Sequence, residues 1–165
     1  KQGFSQLKYK LFYLVKTPDK KSVFAYIIPI NGQGLWDAIY GYLSLKPNKT
    51  EILGITFYEQ KETPGLGAVI TEPWWQEQFN NKSILFRGKN NNLSVEQSTF
   101  MVRVEKPAKI MQLNTYEKKS AVDAISGATI TSNGVAECLK IILKQYRNFL
   151  LKQGSDEQKM EKVSS

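Results

Sequence analysis

The chain has 165 residues, of which 41% are hydrophobic and 23% are charged, a composition that fits one globular domain with an apolar core. It has no histidine and one cysteine, Cys138, which excludes Cys/His zinc sites, histidine-dependent catalytic triads and an internal disulfide. The formal net charge of +8 attracts an anionic cofactor, a membrane surface or nucleic acid, but no run of five basic residues marks a nucleic-acid-binding arm.

The N-terminal part of the chain contains segments rich in aromatic and β-branched residues. There are four of them: 8–16, 22–30, 37–45 and 51–58. Pro18-Asp19 separates the first two segments and Pro47-Asn48 separates the last two, which predicts two β-hairpins. The glycine-marked sequence at 31–34 predicts a turn between these hairpins.

The C-terminal part predicts shorter elements before one long helix. The short elements are a helix at 72–79 with Pro73 in its first turn, a loop at 80–92 around a strand at 84–86, and a strand at 99–105. The sequence assigns no element to residues 106–119.

An amphipathic helix is the clearest element of the sequence. Its apolar residues recur at spacings of three and four: Val135, Leu139, Ile142, Tyr146 and Phe149. Thr131, Ser132 and Asn133 are predicted to cap the start of this helix, and Gly154 to stop it. The chain is therefore predicted to be a single α+β domain over 1–152, followed by a polar tail at 153–165. Its sheets are expected to be largely antiparallel and built from hairpins, with flanking helices and the long C-terminal helix.

Residues 123–132 carry the chemistry that the sequence suggests. They read Asp-Ala-Ile-Ser-Gly-Ala-Thr-Ile-Thr-Ser and lie directly before the long helix. The N-terminus of a helix favours an anion such as phosphate, and four hydroxyls in this segment can add donors. The same composition also fits an ordinary helix cap and loop, and the segment lacks the pattern of a P-loop.

This segment resembles the flavinylation motif of the FMN-binding domain family. The family pattern is an aspartate, two variable residues, Ser/Thr-Gly-Ala and an acceptor Thr or Ser, and five residues match it: Asp123, Ser126, Gly127, Ala128 and Thr129. The resemblance implies a phosphoester between Thr129 and FMN. It also implies that a separate flavin transferase attaches the FMN, and the absence of a histidine that would activate Thr129 is consistent with this.

A second resemblance covers the middle of the chain. The Glu-Thr-Pro-Gly-Leu-Gly sequence at 62–67 resembles a signature of the C-type subunit of sodium-translocating NADH:quinone oxidoreductase and of the related G-type subunit of the Rnf complex. The Gly-Gln-Gly-Leu-Trp sequence at 32–36 matches a further element, and Trp74-Trp75 fits the same region. Together with the flavinylation motif, the 32–36 and 62–67 sequences make three matches in the expected order, which span most of the domain. The Gly-Leu-Trp element and the strand after it favour the C-type subunit over its Rnf counterpart.

The resemblance implies contacts with the flavin beyond Thr129. Thr63, Gly65, Leu66 and Gly67 are expected to form a loop against the isoalloxazine ring, although the same residues alone would also fit an ordinary turn. Trp36 is expected to stack on the ring or border it, or else to lie in the core. The hydroxyls of Ser126 and Thr131 are expected beside the phosphate, and the two remaining tryptophans in the core.

The chain departs from its relatives in two respects. Many relatives carry a histidine shortly before the 62–67 sequence, where this chain has Gln60 and Lys61, so no role of that histidine is carried over. The family also has an N-terminal transmembrane helix, which is missing from this chain and is expected to precede it.

The resemblance implies a covalent-FMN electron carrier in a membrane-bound, ion-translocating NADH:quinone oxidoreductase. Such a carrier passes electrons between neighbouring redox centres and binds neither NADH nor quinone itself. Its expected partners are the other subunits and the flavin transferase, with no metal and no nucleic acid, at the periplasmic face of a bacterial inner membrane. The alternatives are an electron carrier of the Rnf complex, a non-redox module that binds a phosphate ligand, and a charge-driven nucleic-acid binder.

Overall fold

A four-stranded antiparallel sheet forms the body of the computed structural model, which describes residues 10–88 and 92–152. Its strands lie side by side in chain order: β1 Tyr13–Lys16, β2 Val23–Gln33, β3 Ala38–Leu45 and β4 Ile52–Glu59. The two predicted hairpins are therefore joined into one sheet by the pairing of β2 with β3.

The predicted turn at 31–34 is wrong for its first three residues. Asn31, Gly32 and Gln33 continue β2 and pair with β3. The chain reverses one residue later, where the Gly34 amide donates to the Asp37 carbonyl at 2.8 Å. Glycine content alone did not distinguish the end of the strand from the turn.

The remaining elements are short, apart from one long helix. They are a 3-10 turn at Gly67–Thr71, α1 Pro73–Gln76, a 3-10 turn at Glu77–Phe79, β5 Leu85–Phe86, β6 Thr99–Phe100, β7 Arg103–Glu105, α2 Pro107–Gln112, α3 Thr115–Lys118, β8 Ala121–Asp123, α4 Thr129–Gln145 and α5 Arg147–Leu151. The α+β class and the largely antiparallel pairing are confirmed, with the parallel pair β7 and β8 as an exception.

The single strand predicted at 99–105 is wrong, because the chain changes partner in its middle. Thr99–Phe100 pairs with β5, whereas Arg103–Glu105 pairs with β8. Between them, the Met101 amide donates to the Ile84 carbonyl. Residues 106–119, to which the sequence assigns no element, contain α2 and α3.

The long helix packs its predicted apolar face against the core. Val135, Leu139 and Ile142 are each at most 1% exposed. The helix ends at Gln145, earlier than the apolar spacing predicts, because the backbone of Tyr146 leaves helical geometry. The Tyr146 hydroxyl donates to the Leu11 carbonyl. Phe149 therefore belongs to α5. The predicted stop at Gly154 and the tail at 153–165 lie outside the described residues, as do Lys8 and Tyr9 at the start of the first predicted strand.

Glycines allow α4 to cross the end of β2 at close range. A Cβ on Gly134 would lie 2.0 Å from the Gln33 carbonyl oxygen, and one on Gly32 would lie 2.5 Å from the Cβ of Cys138. This crossing brings the first turn of α4 beside the turn that follows β2.

Candidate functional site

A pocket of about 260 Å³ lies at the first turn of α4. Its walls come from Leu35 after β2, from the 62–67 loop, and from residues 127–131. Seven of the predicted site residues line it: Thr63, Leu66, Gly67, Gly127, Ala128, Thr129 and Thr131. The two segments singled out in the sequence, which are distant along the chain, thus face each other. We call this cavity the site pocket.

The hydroxyls around the site pocket differ in accessibility. The prediction that Thr131, Ser132 and Asn133 cap α4 is wrong, because α4 begins at Thr129 and its N-cap residue is Ala128, which makes no side-chain cap bond. Thr131 and Ser132 are instead buried in the first turn of the helix. Ser132 Oγ accepts from the Ile125 amide at 3.0 Å. Ser126 is exposed but lies outside the pocket lining. Among the four hydroxyl residues of the 123–132 segment, all of which the structure describes, Thr129 is therefore the one that is both exposed and part of the lining.

Gly127 brings the 123–132 segment close to the 62–67 loop. Its φ is +75°, and a Cβ on it would lie 3.0 Å from Leu66 Cδ2. A larger residue would therefore strain the backbone and press against the opposite wall. Gly65 also has a positive φ, of +74°, which suits the turn, but a Cβ there would meet nothing within 4 Å, and Gly65 is not among the residues that line the pocket.

Glu62 is the site residue that the sequence did not single out. Its side chain is 5% exposed, and its carboxylate accepts from the amides of Leu35 and Trp36, both at 3.0 Å, and from the Thr131 hydroxyl. Burial raises the pKa of Glu62, but these hydrogen bonds outweigh it and hold the pKa below its ordinary value. The sequence marks Glu62 only as the first residue of the 62–67 signature, and this position does not indicate that its side chain is buried.

Apolar side chains surround the mouth of the site pocket. Leu35, Leu66 and Ile130 are 43–58% exposed. Trp36 is 67% exposed and lies beside the pocket without lining it, and its indole nitrogen donates to Thr63 Oγ1 at 3.1 Å. The exposed position excludes the core alternative for Trp36.

Other residues singled out in the sequence lie away from the site pocket. Asp123 ends β8, where its carbonyl accepts from the Trp75 indole at 2.9 Å. Trp75 is buried as predicted, whereas Trp74 is exposed and its predicted core position is wrong. Cys138 lies on the buried face of α4, against β2, and burial raises the pKa of its thiol to about 12.

A comparison with protein families decides the family of the chain. The model of the FMN-binding domain matches residues 34–144, which include every wall of the site pocket. The chain belongs to the FMN-binding domain family. The match covers the 62–67 loop, the 123–132 segment and nearly all of α4, so it extends over both predicted halves of the site in this FMN-binding domain.

The curated relatives of this FMN-binding domain are longer proteins. The chain is 42% identical over 139 residues to the C subunit of the Na(+)-translocating NADH-quinone reductase of Chlamydia caviae, covering 84% of the chain and 43% of the relative. It is 42% identical over 131 residues to the C subunit of the same reductase of Neisseria meningitidis serogroup A, covering 79% and 45%. The chain thus spans less than half the length of these relatives.

A solved structure shares the fold. The crystal structure of the corresponding reductase protein, the C subunit from Parabacteroides distasonis, is 36% identical, with a TM-score of 0.68 over 87% of this chain and 63% of that one. In the described part of the FMN-binding domain, no helix combines the length and apolar character needed to cross a bilayer.

Proposed function

We propose that this FMN-binding domain is a covalent-FMN electron carrier of the C-subunit type, part of a sodium-translocating NADH:quinone reductase. The FMN is attached by a phosphoester to Thr129. The carrier passes electrons between neighbouring redox centres of the complex. The similarity to relatives named as the C subunit of this reductase supports this complex over the Rnf complex.

The observation that carries the proposal is the position of the Thr129 hydroxyl. Thr129 is the first residue of α4, is exposed, and lines the site pocket. The first amides of a helix have no acceptor within the helix, and the helix dipole is positive at this end. An anionic phosphate group on Thr129 is therefore stabilised where it is attached.

The residues around the site pocket also suit the flavin ring. Leu35, Leu66 and Ile130 offer apolar surface at the mouth, and Trp36 offers an aromatic face beside it. FMN, when bound, supplies the electron-transfer chemistry, while the protein orients the cofactor and sets how readily it is reduced. Gly127 keeps the segment that holds Thr129 close to Leu66, which narrows the space available to the ring.

The proposed setting is a membrane complex. A flavin transferase attaches the FMN, and the other subunits of the reductase donate and accept its electrons. The domain works at the outer, periplasmic face of the bacterial inner membrane, held by a membrane helix of the longer polypeptide. A covalent tether suits this location, because a lost flavin would not be replaced there.

Thr129→Val tests the site of attachment. The chain is co-expressed with a flavin transferase and exported, and its intact mass and in-gel flavin fluorescence are measured. Wild type is expected to gain the mass of FMN less water, mapped to the peptide that contains Thr129. Thr129→Val is expected to lose the covalent flavin entirely while keeping its melting temperature within a few degrees, since the side chain is exposed.

Thr115→Val is the matched control, because Thr115 is likewise an exposed threonine at the first position of a helix. This variant is expected to carry FMN as wild type does. Covalent flavin on Thr129→Val would overturn the assignment. An unmodified wild type, with a transferase active on a control substrate, would favour the non-redox module that binds a phosphate ligand.

A further inference from the structure

Glu62 lies where the three walls of the site pocket meet. One oxygen of its carboxylate accepts from the Leu35 amide and the Thr131 hydroxyl, and the other accepts from the Trp36 amide. A single side chain thus joins the turn after β2, the 62–67 loop and the first turn of α4.

Two glycines let the backbone close around this carboxylate. A Cβ on Gly34 would lie 2.5 Å from Glu62 Oε1, and a Cβ on Gly67 would lie 2.6 Å from Oε2. Neither position has space for a larger residue while Glu62 stays in place. The carboxylate is therefore enclosed by protein, and its side chain is 5% exposed.

The three donors to Glu62 are all uncharged. Two amides and one hydroxyl stabilise the carboxylate by hydrogen bonding, but they leave its negative charge in the pocket wall. A charge that is removed from water acts over a longer distance than an exposed one. Adding electrons to a flavin beside such a charge is disfavoured.

We infer that Glu62 is a positioning residue of the flavin site, which holds the three pocket walls together and whose negative charge makes the bound FMN harder to reduce. The inference rests on the proposed attachment of FMN at Thr129, because the charge acts on a flavin in the site pocket.

Glu62→Gln tests the charge with little change in shape. The flavinylated variant is equilibrated with a reference redox dye, and the ratio of reduced to oxidised flavin is read from the absorbance spectrum. At a fixed dye poise, this ratio is expected to rise on the order of tenfold over wild type, because a nearby unit charge is lost. Intact mass establishes beforehand that FMN is attached.

Glu137→Gln is the matched control for this substitution. Glu137 is an exposed carboxylate in an ion pair with Lys140, eight residues along α4 from Thr129, or about 12 Å of helix. Its removal changes the net charge by the same amount and is expected to leave the flavin ratio unchanged. An equal rise in both variants would mean that net charge, and not Glu62, sets the ratio, and this would overturn the inference.

Thr131→Val provides a second test that does not depend on the folding of Glu62→Gln. It removes one donor and leaves the carboxylate charged, so the ratio of reduced to oxidised flavin is expected to fall below that of wild type. The opposite directions of the two changes distinguish a charge effect from general damage to the pocket. An unchanged or raised ratio in Thr131→Val would contradict the inference.

The proposed function and this inference fail in different ways. Wild type without FMN in its mass would refute the proposed function. Wild type with FMN at Thr129, together with a Glu62→Gln ratio equal to that of wild type, would refute the role of Glu62 alone.

Discussion

At the scale of single residues, the hydrogen bonds of Glu62 make the stability of the flavin-free protein depend on pH. Its pKa is held below the ordinary value of 4.5 by the Thr131 hydroxyl and the amides of Leu35 and Trp36, despite the opposing effect of burial. A carboxyl whose pKa is lower in the folded state stabilises the fold at a pH above its unfolded pKa. This contribution is lost as the pH falls through the lower, folded value.

The flavin-free protein is therefore expected to lose stability on acidification in a way that Glu62→Gln does not. At pH 7 the variant should unfold at a lower urea concentration than wild type. As the pH falls below 4.5, the two midpoints should converge, because protonation of Glu62 removes from wild type the ionised carboxylate that the variant already lacks. Urea titrations at several pH values measure this, and a constant difference between the midpoints would contradict the expected linkage.

At the scale of elements, the crossing of α4 over β2 fixes the place of the site pocket. An alanine at Gly134 gains about 1 kcal/mol of helix propensity. Its Cβ would lie 2.0 Å from the Gln33 carbonyl oxygen, however, and the backbone of Gln33 cannot shift without disturbing its pairing with β3. Gly134→Ala is expected to lower the free energy of unfolding by about 1–3 kcal/mol, measured by urea denaturation.

Gly54→Ala is the control for Gly134→Ala. Gly54 lies in β4, and a Cβ there would have its nearest neighbour, Asn80 Oδ1, at an ordinary 3.8 Å. Alanine also restricts the unfolded chain more than glycine does, so this variant is expected to be as stable as wild type or slightly more stable. Equal losses in the two variants would mean that the close crossing of α4 and β2 is unimportant.

The elements differ in how well the sequence predicted them, and the physical reason is the range of the interactions. The apolar spacing of Val135, Leu139 and Ile142 is a local signal, and the helix face it predicted is buried. Thr131 was predicted to be a cap because a hydroxyl before a helix usually is one. Its actual partner is Glu62, 69 residues away, which no local pattern reveals.

The site shows the same division between local and distant signals. Resemblance to family motifs predicted that the 62–67 and 123–132 segments share one site, and the structure brings them together around one pocket. The role of Glu62 as their link was not predicted, because its burial depends on how close Gly34 and Gly67 approach it. Likewise, the change of partner within 99–105 depends on β8, which lies beyond that segment.

At the scale of the whole molecule, Trp75 connects the main sheet to the smaller β7-β8 sheet. Its ring lies 6.4 Å from that of Phe57 in β4 and 5.1 Å from that of Phe79. Its indole nitrogen donates to the carbonyl of Asp123, the residue that ends β8 and begins the 123–132 segment. Trp75 thus joins the main sheet to the 123–132 segment, although it is not among the residues that line the site pocket.

Trp75→Ala is expected to destabilise the entire domain and not only one region. Removing a fully buried tryptophan lowers the free energy of unfolding by roughly 3–5 kcal/mol, and it also leaves the Asp123 carbonyl without this donor. Circular dichroism and tryptophan fluorescence should report one shared transition at a lower temperature.

Trp74→Ala is the control, at the adjacent residue with a 59% exposed side chain, and it should change the free energy of unfolding by about 0.5 kcal/mol or less. Two separate transitions in Trp75→Ala would mean that the two sheets unfold independently, and that Trp75 does not couple the main sheet to the 123–132 segment.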